Sequence, residues 1–354
     1  MDTPLSRSSD PPTPEHWLEH VRARIEPVLA DLLAPCVDEA LDPRWERAMR
    51  ETRLYAARPA KRLRPALLLL AYELAGRRIE DPRVVRFAAA VELLHTFLLI
   101  HDDVADRADT RRGAAALHRV LARGRKGEQL AVVAGDHLFA CAVEAMLASG
   151  LPHATAATTF YLRVCRQTAV GQYLDLDVTR APLGAVTLFQ TMRIALLKTA
   201  RYGFVAPLVV GAQLAGAGAT TALLLERLGR SLGLAFQLRD DLIGLFGDAA
   251  CAGKPTDGDF LQRKATFPVV AAYTRAPAAA RHELEAIWGS ADDDAGACDR
   301  VRRFVEEHGG RRATESAVRR ASASARRTLA RLQAPAEARE RLDQLIVALV
   351  ERTG

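Results

Sequence analysis

The segment "AAAVELLHTFLLI", residues 88–100, is apolar around nearly its whole circumference when wound as a helix. A helix of that kind is stable only where other elements cover every side of it, so it must sit near the centre of the fold. From Trp17 onward the apolar positions of the chain recur at helical spacing (Trp17, Val21, Ile25, Val28, Leu32). Similar segments follow at 61–76, 82–106, 128–149, 155–178, 187–217, 219–246 and 262–275, and no stretch alternates as a strand does. Ala, Leu and Arg are plentiful while Val, Ile and aromatics are scarce, which favours helix over sheet. The expected fold class is all-α.

With 354 residues, 49% hydrophobic and 26% charged, the composition is that of a soluble globular protein. The net charge of +6 is modest and its arginines are scattered through helical segments, so no nucleic-acid partner is expected and an anionic small substrate fits equally well. Five cysteines lie far apart without metal-type spacing, which reads as reduced thiols in a cytoplasmic protein. Residues 1–15, rich in Pro and Ser, read as a disordered tail, leaving 16–354 as a single domain. The longest apolar stretch, "GFVAPLVVGAQLAGAG" from Gly203, falls short of the roughly 18 to 20 residues of a spanning helix, so no membrane span is expected.

The central apolar run ends in "HDDVADRADTRRG". On a helix advancing about 100° per residue, Asp102, Asp103 and Asp106 share an arc of roughly 100°. Like charges beside a core repel unless a cation sits among them, and carboxylates without His or Cys suit Mg²⁺ shared with phosphate oxygens. A second acidic segment, "AFQLRDDLIGLFGD", carries Asp240 and Asp241 with Gln237 one turn before Asp241. Two such helix ends facing each other in a bundle could hold several metal ions.

Basic clusters complete the set: Lys61, Arg62 and Arg64; Arg111 and Arg112; Lys198 and Arg201; Lys254 and Lys264. Arginine forks and lysine charges suit diphosphate oxygens. Arg64, Arg111 and Arg112 are the better candidates, while Arg62, Arg201 and Arg263 read as exposed, solvated charge.

The ordered motifs "KRLRP", "HDDVADRADTRRG", "GQYLDL", "LKTARYG" and "FQLRDDLIGLFGD...GKPTDGD" resemble the trans-prenyltransferase family of isoprenyl diphosphate synthases over about residues 20–350. The resemblance implies an isoprenoid synthase-type bundle of long helices around a central apolar cavity, and a homodimer. It implies metal binding by Asp102, Asp103, Asp106, Asp240 and Asp241, with three Mg²⁺ per active site. Gln172 and Asp175 match supporting residues. Arg111, Lys198 and Lys254 match contacts to an allylic diphosphate, and Lys61, Arg64, His95 and Arg112 an isopentenyl diphosphate pocket. Thr199 and Gln237 would stabilise an allylic cation by their dipoles.

One position departs from the pattern: Gly244 stands where many relatives carry a third aspartate in the second motif. Asp248 lies on roughly the same face but roughly 12 Å along the helix from Asp240, too far to replace the missing aspartate without a bend, and Asp259 could approach the same metal from a loop. Product length in the family is set by residues below the first motif, here Val91, Leu94, Phe97 and Leu98. On an ideal wheel Leu98 lies one turn below Asp102, whereas Phe97 is turned about 140° away. An aromatic at 97 implies a short product, C20 first and C15 second. A terpene cyclase would share the fold and the first motif but need no isopentenyl pocket. A non-catalytic partner subunit would be expected to lose first-motif aspartates, and all three are present.

Overall fold

The computed structural model describes residues 13–38, 42–179, 181–247, 262–289 and 296–352. Helix α1 (Pro14–Asp38) begins two residues inside the expected tail. Two helices that follow, α2 (Pro43–Ala56) and α4 (Pro82–Ala105), open in the same way. Asp42 and Asp81 accept the amide N–H two residues on, at 2.8 and 2.9 Å, and the next residue is a proline that brings no N–H to satisfy. Apolar spacing misses α2, because arginines and glutamates interrupt the stripe that buries Met49 and Tyr55. Between them lies α3 (Leu63–Leu74), whose leucines are almost all buried.

Helix α4 is the centre of the bundle. It packs against α1 and α3 on one side and, along its length, against α6 (Gly124–Leu147) on the other. Helix α7 (Ala154–Val178) leads to one long helix, Leu188–Leu214, in three parts. These are α8 (Leu188–Ile194), a π-helical stretch (Ala195–Val205) and α9 (Ala206–Leu214). A Thr187–Gln190 capping box starts it. π-Helical geometry is uncommon and recurs where function needs a side chain re-aimed. Two glycines let neighbours close on it: a Cβ on Gly171 of α7 would stand 2.4 Å from the Lys198 amide N, and one on Gly233 of α10 (Ala219–Phe246) 2.5 Å from the Ala200 Cα.

A smaller second core gathers Val269, Leu284, Trp288, Val301 and Leu245. It is formed by α11 (Phe267–Arg275), α12 (Ala278–Gly289) and α13 (Ala297–Glu307) at the end of α10. Helix α14 (Gly310–Leu329) lies along α10, and α15 (Ala336–Glu351) closes the bundle.

Three findings correct the sequence expectations. A minimal hairpin exists, β1 (Thr110–Arg111) against β2 (Ala114–Ala115), too short to show an alternating pattern. Among the described residues, three helices are long and apolar enough to cross a membrane by length and composition: Pro82–Ala105, Gly124–Leu147 and Leu188–Leu214. Their alanines and isolated polar residues break the visible apolar runs while leaving the average high. The first and third turn two thirds of their most apolar window into the fold, α6 only 39%. Finally, Arg62 and Arg263 are buried, not solvated.

Candidate active site

The three aspartates at the end of α4 have three different environments. Asp103 is buried, and both its oxygens are taken: Tyr55 of α2 donates its hydroxyl at 2.7 Å and Arg111 of β1 its Nε–H at 2.6 Å. Burial, and then the Asp103 charge, push the Tyr55 phenol far above its ordinary range, so it remains a donor. Asp102 lies 3.5 Å from Arg111 and 3.6 Å from Lys198 Nζ. Asp106 accepts from Lys264 Nζ at 2.9 Å.

Lys198 stands on the π-helical stretch, where it also donates to Asp175 of α7 at 2.6 Å. Burial disfavours its ammonium, but Asp102 and Asp175 outweigh that effect and hold it charged. Next to it, the Thr199 hydroxyl donates to Gln237 Oε1 at 2.6 Å. Gln237 in turn donates to Asp241 at 2.8 Å, and Asp241 also meets the amide of Phe267 at the start of α11. The helical offset that places Gln237 one turn before Asp241 is therefore used directly. Asp240, on the adjacent face, pairs with Arg352, whose guanidinium stacks over Phe236.

Part of this set lines one cleft of about 130 Å³, with Asp175, Lys198, Thr199, Gln237, Asp241 and Lys264 on its walls. Lys198 and Lys264 join its two sides, since each lines the cleft and also contacts a first-motif aspartate. Among the described residues, no three His, Cys, Asp or Glu side chains converge into a ready-made cation cage. With only oxygen donors present, and Asp103 already engaged, the set fits a hard cation shared between Asp102 or Asp106 and the oxygens of a bound phosphate. Asp103 thus holds Arg111 and Tyr55 in place.

Beside the aspartates lies a cluster of arginines, the arginine pocket. Arg64 Nη1 is 2.9 Å from His95 Nε2, and the Arg64 guanidinium covers the Tyr202 ring at 5.1 Å. An arginine only donates, so His95 accepts at Nε2 and carries its proton on Nδ1. Burial, reinforced by Arg64, Arg112 and other nearby arginines, depresses the His95 pKa well below the ordinary histidine value and keeps the ring neutral. Arg62 and Arg112 both approach the buried carboxylate of Glu92, at 2.8 and 3.6 Å. Lys61 is exposed at the rim.

The structure brings together Asp102, Asp103, Asp106, Arg111, Asp175 and Lys198, and separately Thr199, Gln237 and Asp241. Gln172 sits one turn of α7 before Asp175 with its amide nitrogen buried. Lys254, Asp248 and Asp259 lie outside the described residues. Arg201, expected as solvated charge, is largely covered and pairs with Glu226 at 3.6 Å. Phe97 packs on α6, with its ring 5.3 Å from Phe139 and 4.6 Å from His101. That direction is the one the helical wheel gives for Phe97. Tyr55 and Glu92 are polar groups of the site that the sequence did not single out, and Lys264 of the expected basic clusters joins it at Asp106. Glu92 has a visible signal, a lone acid inside an apolar helix, whereas Tyr55 has none.

Residues 46–305 match the polyprenyl synthetase family. The chain is 38% identical over 247 residues to a geranylgeranyl diphosphate synthase of Mycobacterium tuberculosis, covering 69% of this chain and 66% of that one. It is 32% identical over 298 residues to a geranylfarnesyl diphosphate synthase of Aeropyrum pernix, covering 82% and 90%. The fold is similar to that of a geranylgeranyl pyrophosphate synthase from Corynebacterium glutamicum complexed with isoprenyl diphosphate and magnesium. The TM-score is 0.85 at 28% identity, over 96% of this chain and 99% of the other. With its aspartate-lined cleft and arginine pocket on an all-α bundle, the chain belongs to the polyprenyl synthetase family.

Proposed function

We propose that the chain is a short-chain isoprenyl diphosphate synthase, a prenyltransferase that joins isopentenyl diphosphate to an allylic diphosphate, with geranylgeranyl diphosphate (C20) as product and farnesyl diphosphate (C15) second. The observation that carries this reading is the pairing of an aspartate-lined cleft with a separate arginine pocket, joined through Asp103–Arg111 at one end of α4. Two anionic substrates need two such sites, one of which works through metal and one directly.

In this reading Lys198 and Arg111 hold the allylic diphosphate in the cleft. Arg64, Arg112, Lys61 and His95 hold isopentenyl diphosphate. Magnesium, three ions per site when both substrates are bound, would be held by Asp102, Asp106, Asp240 and Asp241 and would supply charge that weakens the allylic C–O bond. That bond breaks, its electron pair leaving with the diphosphate. Oxygen dipoles of Thr199 and Gln237 face the allylic cation, in a space closed to water by the surrounding helices. The double bond of isopentenyl diphosphate then forms the new C–C bond, and a proton from the adjacent carbon goes to the departed diphosphate.

The reading takes residues 16–354 as one domain, in the cytoplasm, acting as a homodimer. Helices α6 and α7 leave Leu130, Val133, Leu147, Val170, Tyr173 and Leu176 exposed, an apolar area that suits a second copy of the chain. Burial of most of the apolar window in α4 and in Leu188–Leu214 favours their use as core and not as membrane spans.

The test is an assay of purified protein with isopentenyl diphosphate and dimethylallyl, geranyl or farnesyl diphosphate, in Mg²⁺ or EDTA, with products read by mass spectrometry. Metal-dependent C15 or C20 diphosphate is expected. Products mainly of C30 or longer contradict the length, and a hydrocarbon made without isopentenyl diphosphate would point to a cyclase.

A further inference from the structure

The arginine pocket contains a single buried carboxylate, Glu92, only 1% exposed. It belongs to α4, one turn before His95, and it meets two arginines 50 positions apart: Arg62 Nη1 at 2.8 Å and Arg112 Nη2 at 3.6 Å. Both arginines have left-handed backbones, with φ of 47° at Arg62 and 52° at Arg112. A side chain with a Cβ adopts that conformation at an energetic cost, so the surroundings must hold it there. At Arg62 both terminal nitrogens are held. Its guanidinium also donates to the carbonyls of Ala56 and Arg58. Arg58 in turn donates to the carbonyls of Arg111 and Ala115 across the hairpin.

The two left-handed positions are the ones that matter for the pocket. Arg62 is the N-cap of α3, so its conformation sets how the chain enters the helix that carries Arg64, and Lys61 precedes it. Arg112 is in the hairpin turn, beside Arg111. Glu92 therefore ties the start of α3, the hairpin and α4 to one point. It also balances only one of the two guanidiniums, which leaves the pocket a net cation.

We propose that Glu92 is a positioning residue of the isopentenyl diphosphate pocket: its carboxylate fixes Arg62 and Arg112, and through them the directions in which Arg64 and Arg112 face that diphosphate. The inference rests on the assignment of this pocket to isopentenyl diphosphate. Glu92 touches no substrate. Its removal acts on the recognition of one substrate and spares the other, which a loss of general stability does not do.

The test compares steady-state kinetics of Glu92→Gln, Glu92→Asp and, as a control, Glu26→Gln with the parent protein, each substrate varied in turn and folding checked by circular dichroism. Glu26 is half-exposed and reaches only the Arg62 Nε, at 3.7 Å. Glu92→Gln should raise KM for isopentenyl diphosphate at least tenfold while leaving KM for the allylic substrate within twofold. Glu92→Asp keeps the charge but loses reach; it should show the same split at smaller size, and it decides the matter if the glutamine variant does not fold. Glu26→Gln should behave as the parent. An unchanged KM for isopentenyl diphosphate in a folded Glu92 variant, or a parallel rise for both substrates, overturns the proposal. A parent protein that does not consume isopentenyl diphosphate at all overturns the functional reading instead.

Discussion

The two ends of the site solve opposite electrostatic problems. At the arginine end, Arg62, Arg64 and Arg112 crowd around a neutral His95, with Glu92 as the buried counter-charge. At the aspartate end, Asp102, Asp106 and Asp175 are held by Lys198 and Lys264, and Asp240 by Arg352. An anion can enter the first end directly, because forked donors are waiting for it. It can enter the second only with cations that outweigh the carboxylates. The two ends can therefore take two diphosphates in chemically different ways and keep them in order.

The largest expected effect breaks the aspartate end. Asp102→Asn removes a carboxylate that faces Lys198 and leaves the arginine pocket intact, so kcat should fall by about 10² to 10³, the size seen when one preorganised electrostatic group is lost. KM for isopentenyl diphosphate should stay within about twofold in the same assay. The reciprocal change, Arg112→Lys, keeps charge and loses the fork. It should raise KM for isopentenyl diphosphate by about tenfold, equivalent to about 1.4 kcal/mol, with kcat less affected.

How the aspartate end would look was partly visible in the chain itself. "HDDVADRADTRRG" displays acids and bases side by side, and the helical offset of Asp102 and Asp106 is fixed by geometry. The family resemblance added roles, and the helices it implied are present. What stays hidden is whatever depends on a distant partner. Nothing near Asp103 announces that Tyr55, 48 positions away, will occupy one of its oxygens. Arg62 reads as a surface charge because its partner Glu92 lies 30 positions on, inside an apolar run. The π-helical stretch under Lys198 has no periodic signature, and the closeness of Gly171 to it emerges only from packing. Phe97 is a subtler case: family position and helical wheel point different ways, and its ring lies against Phe139 of α6.

That contrast supplies a third prediction. Leu98→Ala, one turn below Asp102, should lengthen the product by one C5 unit, as read by mass spectrometry. Phe97→Ala should lengthen the product less than Leu98→Ala does and lower stability by about 3 kcal/mol in urea unfolding, since it deletes the ring contact with Phe139 between α4 and α6.

The smallest effect concerns pH. The folded pKa of His95 lies below its unfolded value of about 6.5, so the unfolded chain takes up the proton first. Stability contributed by neutral His95 is then present above pH 6.5 and is lost as pH falls below it, by at most about 1.4 kcal/mol per pH unit. His95→Gln should remove that portion of the slope between pH 6.5 and 5.5 in denaturant titrations.

The most direct measurement of the charge division is calorimetry of each substrate alone, in EDTA and again in Mg²⁺. Isopentenyl diphosphate should bind without metal and bind about tenfold more weakly in Arg112→Lys, while an allylic diphosphate should bind the aspartate end only when Mg²⁺ is present. Equal metal dependence for both substrates, or metal-free allylic binding that survives Asp102→Asn and Arg112→Lys alike, would contradict the division of the site into a metal-requiring end and a direct one.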